Sequence, residues 1–174
     1  MLTGLLYAGV ALGAAGGYFA YRTSTDVPHP PRSTPVPAGK VRICIAGYTM
    51  SPPTGRAHFL AGLIAKKYPD QYETWYFFDL FAWGKFTVEK FCNVPFPAHL
   101  KGHCTSPFVW FERPGSGSDN AIEPLGGYDY FSTWAKTTFK DRDEEIVAFA
   151  SQAPGFGDLN HTRAGAPVQT AATA

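Results

Sequence analysis

The fold is decided by one stretch, Val41-Arg42-Ile43-Cys44-Ile45-Ala46-Gly47, and by the turn and helix that follow it. The stretch is short, apolar and rich in β-branched residues, which predicts a buried central strand. The turn is Ser51-Pro52-Pro53-Thr54, and serine at a helix N-cap followed by proline is a favoured helix start, worth ~1 kcal/mol over alanine at the cap. The segment 55–68 is predicted to be a helix because its apolar residues share one face: Ala57, Leu60, Ala61 and Ile64.

Strands and helices continue to alternate after this first unit. The predicted elements are a strand at 72–78, a helix at 81–92, a strand at 108–111, a short edge strand at 122–125 and a helix at 128–139, with room for another helix at 141–151. Their order is β-α-β-α-β-β-α, so we predict an α/β domain over residues 41–152. The remaining tail, 153–174, is predicted to be extended or disordered alone, although it could lie across a partner.

Three short motifs lie at informative places along these elements. They are the turn Ser51-Pro52-Pro53-Thr54, Thr105-Ser106-Pro107 at the opening of the third strand, and Gly126-Gly127-Tyr128-Asp129 at the opening of the last helix. Together they resemble a thioredoxin/glutaredoxin-like domain, in which the turn carries Cys-x-x-Cys, the proline is cis and faces the active site, and Gly-Gly-x-Asp begins the last helix. The resemblance implies a thioredoxin-like fold that lacks the redox cysteines.

A narrower resemblance covers about Val41 to Phe139. It rests on Ala46-Gly47 with Ser51-Pro52, Lys66-Lys67-Tyr68-Pro69-Asp70, the run 102–110 and Leu125-Gly126-Gly127-Tyr128. These segments look like the thioredoxin-like domain that precedes the dehydrogenase domain in a divergent branch of the malate dehydrogenase family. No dinucleotide-binding Gly-x-Gly-x-x-Gly follows a strand in this chain. The resemblance therefore implies a fold and does not imply malate oxidation.

The chemistry of the turn differs from that of a redox protein. A serine hydroxyl at a helix N-terminus does not ionise near neutral pH, so Ser51 cannot replace a thiolate in disulfide exchange. We interpret Ser51, Pro52, Pro53 and Thr54 as a vestigial redox motif in which Ser51 is a helix cap. The chain is accordingly predicted not to be an enzyme, with no catalytic residue assigned.

The resemblance also implies a candidate glutathione site. In glutaredoxin-like pockets, the backbone before the cis-proline pairs with the cysteinyl part of glutathione, and the start of the last helix holds the γ-glutamyl end. The matching residues here are Thr105, Ser106, Pro107, Gly127, Tyr128 and Asp129. Ser51 could donate to a glutathione thiolate, as a serine does in some glutathione transferases. Tyr48-Thr49-Met50 replaces the basic residue that glutaredoxins carry before their motif.

Composition narrows the class of partner. Fifteen Lys and Arg against 14 Asp and Glu leave a net charge of +1, which gives no footprint for nucleic acid. The three cysteines, Cys44, Cys92 and Cys104, show no paired spacing and argue against a disulfide framework. Cys92, His99, His103 and Cys104 raise the question of zinc, but they lack a paired Cys-x2-Cys. No metal and no cofactor is predicted.

The N-terminus has the pattern of a membrane anchor. Residues 2–21 carry no charge, and as a helix they would span ~30 Å, the thickness of a bilayer core. A cleaved signal peptide is the competing interpretation, although no basic region precedes the apolar stretch. Gly9, Gly13 and Gly17 fall on one face and would let another helix approach closely; the alternative is that glycine is simply common in membrane helices. Residues 22–40 are proline-rich and are predicted to form a semi-rigid spacer.

These features lead to two main functional hypotheses. The first is a non-catalytic, single-pass accessory subunit of a membrane complex, by analogy a mitochondrial respiratory-chain complex of the inner membrane, with the bilayer and other subunits as partners. The second is a membrane-tethered glutathione-binding or transferase-like protein that uses Ser51. A third, a tether that presents the domain to a soluble dehydrogenase lost from the same chain, rests on the family resemblance alone. By the positive-inside rule, Arg22, Arg32, Lys40 and Arg42 predict that the domain lies on the matrix or cytoplasmic side.

Overall fold

The computed structural model describes residues 34–79, 94, 96–100, 103, 105–116 and 119–161. Its strands are β1 (Val41–Gly47), β2 (Tyr72–Phe78), β3 (Phe108–Pro114) and β4 (Asn120–Gly126), and its α-helices are α1 (Pro52–Lys67), α2 (Tyr128–Phe139) and α3 (Glu144–Ala150). Two 3-10 helices cover Ala98–Leu100 and Phe156–His161. The predicted helix at 81–92 and the glycines Gly9, Gly13 and Gly17 lie outside the described residues. Nowhere in the described ranges is a helix both long and apolar enough to cross a membrane, and the predicted span 2–21 falls outside them.

The four strands form one mixed sheet in the order β2-β1-β3-β4. Strand β1 pairs in parallel with β2 from Val41↔Tyr72 to Gly47↔Phe78, and α1 makes the crossover between them. Strand β3 pairs antiparallel with β1, and β4 pairs antiparallel with β3. The predicted α/β class is confirmed. Strands β3 and β4 run further than predicted because their pairing continues to Pro114↔Asn120, close to the loop that joins them.

Both faces of the sheet are buried, which explains the continuous apolar run of β1. One face packs against the three helices, with Ile43 and Ile45 meeting Leu60, Ile64 and Phe131. The other face carries a second apolar cluster of Cys44, Ala46, Trp75, Phe108 and Trp110. The β-branched residues of β1 therefore lie on the helix side together with Phe78 and Phe111. The opposite side is filled largely by Trp75, Phe108 and Trp110.

A buried cluster of charged and polar side chains holds the segment 34–36, which precedes β1, against the sheet. Glu112 is 1% exposed, and its Oε2 lies 3.2 Å from Arg42 Nη1 and accepts a hydrogen bond of 2.9 Å from Asn120 Nδ2. Arg42 Nη1 also donates to the carbonyl of Thr34, and the backbone N–H of Val36 donates to Asn120 Oδ1 at 2.9 Å. Residues 34–36, predicted to belong to the spacer 22–40, are therefore attached to the sheet.

The N-terminus of α3 is capped by a carboxylate that is also ion-paired. Asp143 accepts a hydrogen bond of 3.1 Å from the Ile146 N–H and lies 2.8 Å from Lys67 Nζ. Hydrogen bonding to Lys67, with the Ile146 N–H contributing, holds the pKa of Asp143 below its usual value. The resulting stabilisation is present above the unfolded pKa, 3.8, and is lost as the pH falls through the lower folded value.

We expect this cap to appear in the acid stability of the domain. Below about pH 4 the wild type should lose stability more steeply than Asp143→Asn, which keeps a cap oxygen but does not titrate. Urea unfolding at a series of pH values from 3 to 7 measures the difference. Parallel pH profiles for the two proteins would contradict the assignment of this cap.

Candidate functional site

The Ser51–Thr54 turn begins α1 as the sequence predicts. Ser51 is the N-cap residue, with extended backbone angles, and its Oγ accepts a long hydrogen bond of 3.5 Å from the Thr54 N–H. Pro52 and Pro53 occupy the first helical positions, where a missing N–H costs nothing. Ser51, Pro52 and Pro53 are half-buried, and Thr54 is fully buried. The turn therefore places a serine at the helix end and a buried threonine hydroxyl behind it.

A second hydroxyl, that of Ser106, closes the site from the strand side. Ser106 Oγ lies 2.7 Å from Thr54 Oγ1, and it accepts a hydrogen bond of 2.8 Å from the backbone N–H of Tyr48. Gly47 makes room for this cluster: a Cβ there would lie 2.7 Å from both Ser106 Oγ and Thr54 Oγ1. Two hydroxyl groups therefore connect the end of β1, the start of α1 and the segment before β3.

The segment before β3 lies beside the start of α2. The Ser106–Pro107 peptide is cis, as the resemblance implied, and Pro107 is buried. A Cβ on Gly127, the N-cap residue of α2, would lie 3.9 Å from the Pro107 carbonyl oxygen. Thr105 is exposed, and its carbonyl oxygen lies 2.9 Å from His103 Nε2. The three predicted motifs, at 51–54, 105–107 and 126–129, thus lie close together around Pro107.

Tyr128 and Asp129 do not share one environment. Tyr128 is buried in the core beneath the helices, and its hydroxyl donates to the Gln152 carbonyl at 3.2 Å. Burial raises the pKa of Tyr128, although Arg56 opposes the shift. Asp129 is exposed in the first turn of α2, where a carboxylate is favoured by the helix dipole. Of the two, Asp129 has a side chain that a ligand could reach.

A buried ion pair that the sequence did not predict lies directly behind the turn. Arg56 Nη1 is 3.3 Å from Asp158 Oδ1, with side-chain exposures of 11% and 10%. Arg56 also donates to Gln152 Oε1, and its guanidinium lies 4.0 Å from the centroid of the Phe149 ring. One signal was available: Arg56 interrupts the apolar face of α1 immediately before Ala57.

Among the described residues of this site there are hydroxyl groups and no thiol. Cys44 is fully buried within β1, and Cys92 and Cys104 lie outside the described residues. Within the described ranges, no group of three or more His, Cys, Asp or Glu side chains is placed to hold a metal ion. The hydroxyls of Thr54 and Ser106 hydrogen-bond to each other and so connect α1 to the segment that leads into β3.

Ser106→Ala is expected to lower the free energy of unfolding by about 2 kcal/mol, because it leaves the buried Thr54 hydroxyl without its partner. Ser51→Ala is the matched control. It removes only a long cap hydrogen bond and should cost about 0.5 kcal/mol. Urea unfolding of the two variants measures both losses. A larger loss for Ser51→Ala than for Ser106→Ala would contradict the hydroxyl cluster.

No protein-family model, no curated protein and no solved structure matches this chain. The features of the chain that bear on its function are the hydroxyl cluster at Ser106, the ion pair behind the turn, and the apolar, uncharged N-terminal sequence.

Proposed function

We propose that this chain is a non-catalytic, membrane-anchored accessory subunit of a multi-subunit membrane complex, a respiratory-chain complex of the mitochondrial inner membrane. Its domain is a thioredoxin-like fold that has lost the redox chemistry of that class. Its partners are the other subunits and the lipid bilayer. It uses no cofactor, and its role is to occupy and stabilise a position within the assembly.

The sheet supports the thioredoxin-like part of this proposal. Strands β1 and β2 form a parallel unit joined by α1, and β3 and β4 follow as an antiparallel pair on the other side of β1. Pro107 opens β3 beside the N-termini of α1 and α2, where the family places its active site. Topology alone does not define an activity, so the activity has to be argued from the site.

The observation that carries the non-catalytic assignment is the closed hydroxyl cluster. Ser106 precedes the cis-proline, the position that faces the redox cysteines in thioredoxin-like proteins. Its Oγ lies 2.7 Å from Thr54 Oγ1 and accepts a hydrogen bond of 2.8 Å from the Tyr48 N–H. Ser51 caps α1. Each of these hydroxyls serves the fold, and none has a neighbouring base among the described contacts that would activate it as a nucleophile.

The uncharged span 2–21 supports the membrane part. Gly9, Gly13 and Gly17 recur along one face of the predicted helix, and small residues at this spacing let transmembrane helices pack closely. A lone anchor has no need of such a face. The face is therefore the feature that favours packing against other subunits within the bilayer.

A glutathione-binding protein is the second candidate, and one geometric feature favours it. The N-termini of α1 and α2 both border Pro107, and helix N-termini favour anionic groups. The exposed Thr105 and Asp129 lie at this edge, whereas Tyr128 is committed to the core. In this alternative Ser51 would donate to the thiolate.

One set of variants separates the two candidates. We expect Ser51→Ala and Asp129→Ala to leave assembly unchanged, and Gly13→Leu to release the chain from its complex. Gly4→Leu is the matched control, because at ~100° per residue Gly4 lies on the opposite face of the predicted helix from Gly13. Assembly is followed by native electrophoresis of membranes solubilised in mild detergent, and glutathione affinity by calorimetry.

The opposite pattern would overturn the subunit assignment. If Ser51→Ala and Asp129→Ala abolish a measurable affinity for glutathione while Gly13→Leu changes nothing, the chain is a tethered glutathione-binding protein. If Gly13→Leu and Gly4→Leu release the chain equally, the glycine face does not mediate packing.

A further inference from the structure

The segment 152–158, which we call the C-terminal strap, combines a buried end with an exposed tip. Asp158 is only 7% exposed, whereas Phe156, two residues earlier, is 88% exposed. Phe156 has the most exposed large apolar side chain among the described residues; Met50 follows at 72% and Tyr130 at 45%. An exposed aromatic ring and a buried carboxylate thus lie two residues apart on the same short segment.

The strap is attached to α1 by contacts that fix its backbone. Asp158 Oδ1 pairs with Arg56, and Asp158 Oδ2 accepts a hydrogen bond of 2.7 Å from the Gly155 N–H. The Asp158 carbonyl packs so closely on Gly55 that a Cβ at Gly55 would overlap it. At the other end, the Gln152 carbonyl accepts from the buried Tyr128. The turn that carries Phe156 is therefore held at both ends.

The tip of the strap is open and uncharged. Its sequence is Ala153-Pro154-Gly155-Phe156-Gly157, and a Cβ at either glycine would meet nothing within 4 Å. The nearest charge along the chain, Asp158, is turned inward to Arg56. A partner surface could therefore approach the ring from several directions without desolvating a charge. Aromatic side chains presented in this way are typical anchors of protein interfaces.

We propose that Phe156 anchors this chain to a partner protein, with its ring entering an uncharged apolar pocket of that partner. The proposal rests on the proposed function, because it assigns a contact site to an accessory subunit. A pre-ordered anchor binds with less loss of conformational entropy than a mobile one. The Arg56–Asp158 pair supplies that order.

A protein pocket fits the tip better than a lipid surface does. The described segment 151–161 contains no Lys or Arg, the residues that attract anionic headgroups. Membrane-interface anchors are enriched in Trp and Tyr, which keep a polar atom in the headgroup region, whereas Phe has none. Phenylalanine flanked by glycines is suited to insertion into a dry cavity.

The test uses the full chain in its native membranes. Phe156→Ala should reduce the fraction of the chain in the large complex at least tenfold and leave the thermal midpoint of the domain unchanged, since the ring makes few contacts within the domain. Tyr130→Ala is the matched control: Tyr130 is 45% exposed, lies on α2, and its ring contacts His99. A photoreactive phenylalanine analogue at 156 should cross-link to one protein subunit of the complex, and the same analogue at 130 should not.

The outcomes distinguish the anchor from the function on which it rests. A wild-type chain that joins no complex and forms no protein cross-link from 156 would overturn both. A wild type that assembles while Phe156→Ala assembles equally well would overturn the anchor alone. Cross-links from 156 only to lipid, or only to a second copy of this chain, would also overturn it.

Discussion

Asp158→Ala is expected to lower the free energy of unfolding by about 3 kcal/mol, the largest single loss that the site region offers. The substitution leaves the Arg56 guanidinium in a largely buried position, where Gln152, Tyr128 and Phe149 still contact it but no carboxylate balances its charge. Arg56 Nε already lacks a hydrogen-bond partner in the structure, so further loss is poorly compensated. Urea unfolding followed by circular dichroism measures the change.

The double variant Arg56→Met/Asp158→Ala is the control. Replacing both members of a buried pair by apolar groups is often nearly neutral, because no charge remains to be solvated. We expect the double variant to be more stable than Asp158→Ala alone. If the stability lost by the double variant equals the sum of the losses for Arg56→Met and Asp158→Ala, the two residues are not coupled. The ion pair would then not be what orders the strap.

Glu112→Ala is expected to cost a comparable amount, about 3 kcal/mol, on the other face of the sheet. The carboxylate accepts hydrogen bonds from Asn120 Nδ2 at 2.9 Å and from Trp110 Nε1 at 3.1 Å, and it pairs with the buried Arg42. Its removal leaves these donors without that acceptor inside the protein. Chemical unfolding monitored by tryptophan fluorescence measures the loss directly, because Trp110 belongs to the cluster.

Glu73→Ala is the matched control for Glu112→Ala. Glu73 pairs with the same guanidinium at 2.6 Å, but its side chain is 26% exposed, so water can replace it. We expect a loss of less than about 1 kcal/mol. Equal losses for the two glutamates would contradict the view that burial, rather than pairing to Arg42, makes Glu112 important.

Local patterns in the sequence predicted the parts of the fold that local physics determines. The β-branched run at 41–47 predicted the central strand, and serine followed by proline predicted the start of α1 at its observed residue. Helix α2 begins and ends where the sequence predicts, at Tyr128 and Phe139. In each case a periodicity or a cap is readable within a short window.

The strap was not predicted because its structure depends on distant contacts. Proline and glycine interrupt regular secondary structure, and the strap contains Pro154, Gly155 and Gly157. The whole segment 153–174 was therefore predicted to be extended or disordered. The structure instead places Phe156–His161 in a 3-10 helix against α1. The contact that holds it joins Arg56 to Asp158, 102 residues apart, and no local pattern encodes such a pairing.

The site was predicted in part for a similar reason. The sequence singled out Ser51, Thr54, Ser106, Pro107 and Gly127, and the structure brings their segments together around Pro107. The hydrogen bond between Ser106 and Thr54 could not be predicted from the sequence. It depends on the register of β1 against β3 and on the absence of a side chain at Gly47. Tyr128, predicted at a ligand site, lies in the core because the face of α2 that carries it packs on the sheet.

The central claim is that this chain works as part of a larger membrane assembly. Native electrophoresis of gently solubilised membranes, with quantitative mass spectrometry of each band that contains the chain, tests it most directly. We expect the chain to co-migrate with one large complex at a fixed stoichiometry. Migration as a monomer or a small homo-oligomer would contradict it, and glutathione binding would then become the leading explanation of the site.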